Sequence, residues 1–217
     1  MEFWHLVGRG VEKRDIVADD KDRARFIHDL YIFNDHNPAP NYILSARHDH
    51  ERKRKRLIDI HAFALMKNHY HLLVSEIVEQ AIPRFMQKFN MGYTKYFNER
   101  HGRSGALWQG KYRKVQICQD AHFLYVPYYI HLNPLDYTHP LWREGAVQNK
   151  KQALEELECY RWSSHLDYLG IKNVPSIIRQ DVLRPFLGTS AEYQQALADI
   201  IADPAIAEKS NDFEYKN

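Results

Sequence analysis

The feature of this sequence that most constrains its fold is the order of strand-like and helix-like segments before Leu135. Short apolar segments predict strands at 3–7, 57–66, 69–75 and 107–117. Apolar side chains at helical spacing predict helices at 19–34, at 79–100 and from 120 to 134. The segments therefore follow the order strand, helix, strand, strand, helix, strand, with a further helix after the last strand.

This order is that of a ferredoxin-like βαββαβ sandwich, an α+β fold with an antiparallel sheet. Lys67 and Asn68 form a plausible two-residue turn, which predicts a hairpin between the middle strands. We assign residues 1–140 to this domain and residues 141–217 to a helical C-terminal extension with an acidic tail. The extension is predicted to contain helices near 150–168 and 190–202. Because this topology supports many functions, the fold alone specifies none of them.

Composition places the chain among ordinary globular proteins. Of its 217 residues, 44% are hydrophobic, and no apolar run approaches the length of about 18 residues that a membrane span needs. The first residues lack the pattern of a secretory signal, so we predict a soluble cytoplasmic protein. Cys118 and Cys159 are isolated, which excludes a disulfide framework and predicts two buried small side chains.

Charge is distributed unevenly along the chain, although its net value is only +2. Residues 52–56 read Arg-Lys-Arg-Lys-Arg, and residues 84–114 hold eight basic side chains against one acidic side chain, Glu99. Residues 191–217, in contrast, hold six acidic residues and two lysines. A basic middle predicts a phosphate-binding surface, and the alternative is a set of solvated helix faces.

Two His-x-His motifs are candidates for metal binding. His48-Asp49-His50 lies in a polar run and is interpreted as a solvated loop. His69-Tyr70-His71 begins an apolar strand, where alternation directs His69 and His71 to one face and Tyr70 to the other. The pair could hold a divalent ion, or it could be two half-buried histidines with hydrogen-bond partners. Four further histidines are interpreted as structural: His5, His61, His131 and His165.

A third ligand is sought in the segment Tyr129-Ile130-His131-Leu132-Asn133-Pro134. Tyr129 and Asn133 are four residues apart and share one face of a helix, about 40° from alignment. If Asn133 offers its amide oxygen to a metal, Tyr129 is placed to attack a phosphate held there. Pro127 is expected to kink this helix or delay its start, and Pro134 to bias Asn133 away from helical angles.

These motifs together resemble those of the REP-associated tyrosine transposases, which are single-tyrosine HUH transposases with an IS200-like domain. The resemblance spans residues 3–170 and rests on the His69–His71 and Tyr129–Pro134 segments. Supporting segments are Gly8-Arg9-Gly10, the run from Tyr93 to Gly110, and Tyr160-Arg161-Trp162-Ser163-Ser164.

The resemblance implies a metal-dependent DNA transposase that cleaves and rejoins single-stranded or hairpin DNA through a 5′-phosphotyrosine. By the same resemblance, His69, His71 and Asn133 bind Mg²⁺ or Mn²⁺, and Tyr129 is the nucleophile. We expect a monomer or homodimer that does not bind membranes.

The residues predicted to contact DNA combine basic side chains with one aromatic ring that could stack on an unpaired base. They are Arg9, Arg52, Lys53, Arg54, Lys55, Arg56, Arg103, Trp108, Lys111, Arg113 and Lys114. For Trp108, the alternative is packing in the core.

Two other functions remain open from the sequence. One is a metal-dependent hydrolytic nuclease, in which the same histidines serve an attacking water molecule. The other is a non-catalytic regulator that binds hairpin DNA and forms no covalent adduct.

Overall fold

The computed structural model of the chain describes residues 1–38, 54–145, 147–203 and 205. The His48-Asp49-His50 motif, the candidates Arg52 and Lys53, and most of the acidic tail lie outside the described residues.

One antiparallel sheet of four strands organises the fold. Its strands are β1 (Phe3–Arg9), β2 (Ile58–Leu65), β3 (His69–Glu76) and β4 (Arg113–Ile117), in the spatial order β2-β3-β1-β4. The β2–β3 turn is closed by a 2.8 Å hydrogen bond from the Met66 amide to the His69 carbonyl. The predicted hairpin, the α+β class and the ferredoxin-like order are therefore confirmed.

Helices α1 (Asp20–Ile32) and α2 (Ala81–Arg100) cover one face of this sheet. Asp19 caps α1, because its carboxylate accepts hydrogen bonds from the Lys21 and Asp22 amides. Phe26 of α1 and Phe89 of α2 pack against Tyr70, with ring centroids 5.2 Å and 5.8 Å away. Tyr70 thus faces this layer, as strand alternation requires.

Helix α3 (Asp120–Leu132) packs on the opposite face, against β2 and β3. It begins at Asp120 and runs through Pro127, so the expectation of a late start is wrong. Asn133 has helical backbone angles (φ −51°, ψ −36°), so the bias expected from Pro134 is overridden. The reason is that Asn133 leads directly into a 3-10 helix, Asn133–Tyr137, which keeps Tyr129 and Asn133 on one continuous face.

The C-terminal segment is helical and completes the outer edge of β2. Its helices are α4 (Lys150–Cys159), α5 (His165–Tyr168), α6 (Arg184–Leu187) and α7 (Ser190–Ile200). The single helix predicted near 150–168 is instead broken after Cys159, because Trp162 and Ser164 make backbone hydrogen bonds to Leu65 and Phe63 of β2. None of the helices in the described part of the chain combines the length and apolar character needed to cross a membrane.

Two smaller expectations were wrong. Cys118 and Cys159 are exposed rather than buried, because each lies at the end of an element, beyond the packed layers. The last strand is shorter than predicted, since Gly110 adopts a positive φ of 66° and turns the chain before β4 begins at Arg113.

A buried polar network ties this segment to α3. The Tyr193 hydroxyl of α7 lies 2.8 Å from Nδ1 of His131 in α3 and 2.8 Å from Nδ1 of His165. His131 also contacts the Ser164 hydroxyl through Nε2 at 2.7 Å. Burial keeps the pKa of His131 well below its ordinary value, so the ring is neutral. One ring nitrogen then donates a hydrogen bond and the other accepts one.

We expect Tyr193→Phe to lower the free energy of unfolding by about 1–3 kcal/mol, because two buried imidazole nitrogens lose their shared partner. Urea unfolding measures the change. The matched control is Tyr128→Phe, since Tyr128 is only partly buried and stacks on Tyr193 with its ring. Equal midpoints for the two variants would show that the network contributes little.

Candidate active site

The His69–His71 motif lies on the face of the sheet that α3 covers. In the antiparallel register of β1 and β3, Arg9 pairs with His69 and Val7 with His71. These four side chains therefore share a face, because paired residues of neighbouring strands point the same way.

A cavity of about 100 Å³ opens between this face and α3. This volume has room for an ion and a few water molecules. Its lining brings together all four residues predicted to form the catalytic and metal site, one predicted DNA contact, and three residues to which the sequence assigned no role in a site. The lining residues are Val7, Arg9, His69, His71, Tyr129, Asn133, Asp136 and Arg143.

Each histidine of the motif is oriented through its Nδ1 atom. In His71 this atom lies 2.9 Å from Nε2 of His5, and the two rings stack with centroids 5.1 Å apart. In His69, Nδ1 lies 2.7 Å from Oδ1 of Asn68. Because this amide oxygen can only accept a hydrogen bond, the ring proton of His69 lies on Nδ1. Nε2 of His69 consequently carries a lone pair, the form that binds metal.

Both histidines are held neutral. Burial, together with the nearby charges of Arg9 and Arg143, lowers the pKa of His69 to about 3. Burial also places the pKa of His71 well below its ordinary value, helped by His69 and His5. Neutral imidazoles at physiological pH are the protonation state required of metal ligands.

Tyr129 projects from α3 onto this pair and is 1% exposed. Its ring meets the His71 ring edge-on at 5.5 Å and the His5 ring edge-on at 5.9 Å. Asn133, one turn later, donates from Nδ2 to the Tyr129 carbonyl at 2.7 Å. Helical spacing thus places the tyrosine and the amide beside the histidines.

The donor set fits a divalent metal ion. His69 and His71 offer imidazole nitrogens, and Asn133 offers an amide oxygen. Within the described ranges, no group of three or more His, Cys, Asp or Glu side chains could hold an ion. Asn133 is the amide side chain that lines this cavity.

His5, Asp136 and Arg143 belong to the site although sequence reasoning assigned no such role to them. His5 was interpreted as structural, and only the strand pairing shows that it meets His71. Asp136 follows Asn133 by three residues, so the helical spacing that selected Asn133 could also have selected Asp136. Arg143 reaches the cavity from a 3-10 helix, Trp142–Glu144, which no periodicity in the sequence predicts.

Two of the predicted DNA contacts lie on the site face of the sheet. Arg9 lines the cavity, and Arg113 of β4 pairs across from Val7. The charge of Arg113 adds to burial in lowering the pKa of His5 to about 3. These two side chains therefore supply positive charge beside the cavity.

The other described candidates lie elsewhere. Lys114 is on the opposite face, 3.7 Å from the centre of the Trp4 ring, and Lys111 approaches the Tyr112 ring at 5.9 Å. Arg103 donates to Oδ1 of Asn98 at 2.7 Å.

The described end of the basic run makes contacts of its own. Arg54 donates to the Tyr31 carbonyl at 2.8 Å, Arg56 pairs with Asp59 at 3.2 Å, and Lys55 is exposed.

Trp108 packs as a partly buried side chain. Its ring lies 5.5 Å from Tyr70, and its indole N–H donates to the Asn90 carbonyl at 3.2 Å. These contacts match the packing alternative that the sequence left open.

We expect His5→Phe to weaken Mn²⁺ binding by about 10–100-fold, because His71 keeps its stacking partner but loses the contact that orients its ring. Calorimetric titration of the folded variant with Mn²⁺ measures the effect. The control is His61→Phe, another buried histidine, bonded to Ser75 near the far end of β3. Unchanged Mn²⁺ affinity in His5→Phe would refute this role for His5.

Comparison with known proteins gives a match to a family model and to similar solved structures. Residues 46–133 match the family model described as Transposase IS200 like. One similar solved structure is that of a REP-associated tyrosine transposase bound to a REP hairpin. It is 14% identical, covers 83% of this chain and 87% of its own, and superimposes with a TM-score of 0.47. None of the curated proteins matches. Residues 46–133 of this chain are therefore similar to the IS200-like transposase family.

Proposed function

We propose that this protein is a metal-dependent DNA transposase that cleaves and rejoins single-stranded or hairpin DNA through a covalent bond to Tyr129. The observation that carries the proposal is the convergence of Tyr129, His69, His71 and Asn133 on one cavity. These residues come from a strand and a helix far apart in the sequence. Their meeting matches the arrangement that phosphoryl transfer to a tyrosine requires.

The metal ligands would be Nε2 of each histidine and the amide oxygen of Asn133. Bound there, Mg²⁺ or Mn²⁺ supplies a Lewis acid that polarises the scissile phosphate and offsets the charge on its non-bridging oxygens.

Tyr129 would supply the nucleophile. Its phenolic oxygen forms a bond to phosphorus while the bond to the 3′ oxygen of the preceding nucleotide breaks. The phenol loses its proton, and the departing strand ends in a 3′-hydroxyl that has gained one. The product is a 5′-phosphotyrosine, which another 3′-hydroxyl can attack in the reverse sense, so rejoining needs no ATP.

Burial of Tyr129 favours transfer over hydrolysis. Its ring is enclosed by His5, His71 and Trp142, the last with a centroid 6.3 Å away. Such packing limits access of bulk water to the phosphotyrosine. A hydrolytic nuclease would need no tyrosine at this position.

Positive charge around the cavity supports DNA as the substrate. Arg9 and Arg113 flank the histidines on the sheet face, and phosphate groups are bound chiefly by such side chains. We propose that they bind the phosphates that adjoin the scissile one. The preference for single strands or hairpins, the oligomeric state and the remaining basic contacts stay predictions.

Covalent capture tests the function. Protein is incubated with Mn²⁺ and a 3′-labelled pool of single-stranded hairpin DNA with randomised stem-flanking and loop sequences, then analysed on a denaturing gel. We expect wild type to retain label in a protein-sized band. In Tyr129→Phe, which lacks the nucleophile, and in His71→Ala, which lacks a metal ligand, we expect the labelled adduct to fall by at least about 10³-fold.

Tyr128→Phe is the matched control, because it removes the hydroxyl of the adjacent tyrosine. The Tyr128 ring stacks on Tyr193 and does not line the cavity. The variant should form the adduct as wild type does. Cleavage that persists without an adduct in Tyr129→Phe would instead identify a hydrolytic nuclease. Metal-independent DNA binding without cleavage by wild type would identify a non-catalytic regulator.

A further inference from the structure

We propose that Arg143 and Asp136 are positioning residues that direct the amide oxygen of Asn133 toward the metal. This inference rests on the proposed function, because it assumes that Asn133 is a ligand. Both side chains line the cavity. Asp136 lies in the 3-10 helix Asn133–Tyr137 that follows α3, and Arg143 lies in the 3-10 helix Trp142–Glu144.

Arg143 contacts the side-chain amide of Asn133 directly. A terminal nitrogen of Arg143 donates to Oδ1 of Asn133 at 3.0 Å, while Nδ2 of Asn133 donates to the Tyr129 carbonyl. Both bonds require the same orientation of the amide. A carbonyl oxygen has two acceptor sites, so the bond from Arg143 leaves Oδ1 able to accept one more partner.

The side chain of Arg143 is itself held in place by Asp136 and Trp142. Its guanidinium makes a two-pronged ion pair with the Asp136 carboxylate, one of whose contacts is 3.2 Å long. It also lies over the Trp142 ring, 4.4 Å from the centroid, and its side chain is 15% exposed. Paired and stacked in this way, a guanidinium has little conformational freedom.

Trp142 anchors the Arg143–Asp136 pair in the core. Trp142 is fully buried, and its indole N–H donates to Oδ1 of Asp136 at 2.7 Å. The position of the carboxylate is therefore set by a core residue, and the position of Arg143 follows from it.

Charge explains why an aspartate accompanies the arginine. A lone guanidinium beside His69 and His71 would repel a divalent cation, and the Asp136 carboxylate offsets that charge. The pair can thus hold the amide without the cost to metal binding that an unpaired arginine would impose.

The experiment is a titration of the full chain with Mn²⁺ alone, followed by calorimetry, which needs no DNA and no turnover. Arg143→Lys conserves the charge but cannot reach Asp136 and Asn133 with a fixed fork. We expect it to weaken Mn²⁺ binding by about 10-fold or more. A purely electrostatic role for Arg143 predicts unchanged affinity and would overturn the proposal.

A double-mutant cycle shows whether Arg143 acts through Asn133. In an Asn133→Ala background, we expect Arg143→Lys to cause no further loss of Mn²⁺ affinity. Effects that multiply in the double variant would overturn the proposal, as would absence of Mn²⁺ binding by wild type.

The matched control is Arg25→Lys, which also conserves charge. Arg25 forms an ion pair with Asp29, and its side chain is 16% exposed. Both residues lie on α1, on the other side of the sheet. The variant should leave Mn²⁺ affinity unchanged while its thermal midpoint reports any structural cost. Failure of the covalent mechanism would show only in the adduct assay, so the two proposals are tested separately.

Discussion

The antiparallel pairing of β1 with β3 is the constraint on which the site depends. It sets Arg9 opposite His69 and Val7 opposite His71, and it brings His5 within 2.9 Å of His71. A shift of one residue in this register would turn the histidines of one strand away from those of the other. The core on the far side of the sheet prevents such a shift, because Tyr70 is packed between Phe26 and Phe89.

Helix α3 is the second half of the site, and its position is fixed by the C-terminal segment as well as by the sheet. His131, two residues after Tyr129, is bonded to Ser164 and Tyr193, which come from the turn after α4 and from α7. Ser164 in turn bonds to the backbone of Phe63 in β2. The segment predicted as a separate extension is therefore connected, through buried hydrogen bonds, to the helix that carries the tyrosine.

The same principle applies within the cavity, where each polar side chain is oriented by a neighbour. His71 is oriented by His5, His69 by Asn68, and Asn133 by Arg143. Buried groups need such partners, since an unsatisfied polar atom away from water is costly. A consequence is that the geometry exists before any ligand binds, which would lower the reorganisation that the proposed reaction requires.

The element order, the hairpin at Lys67 and Asn68, and the shared faces of His69 with His71 and of Tyr129 with Asn133 follow from local sequence patterns. These are local properties, because strand alternation and helical periodicity depend only on spacing along the chain. Tertiary structure alone decided that the two faces meet, that His5 and Arg143 join them, and that Trp108 packs against Tyr70. Those contacts join residues far apart in sequence, so they follow from strand register and helix packing, which no local pattern encodes.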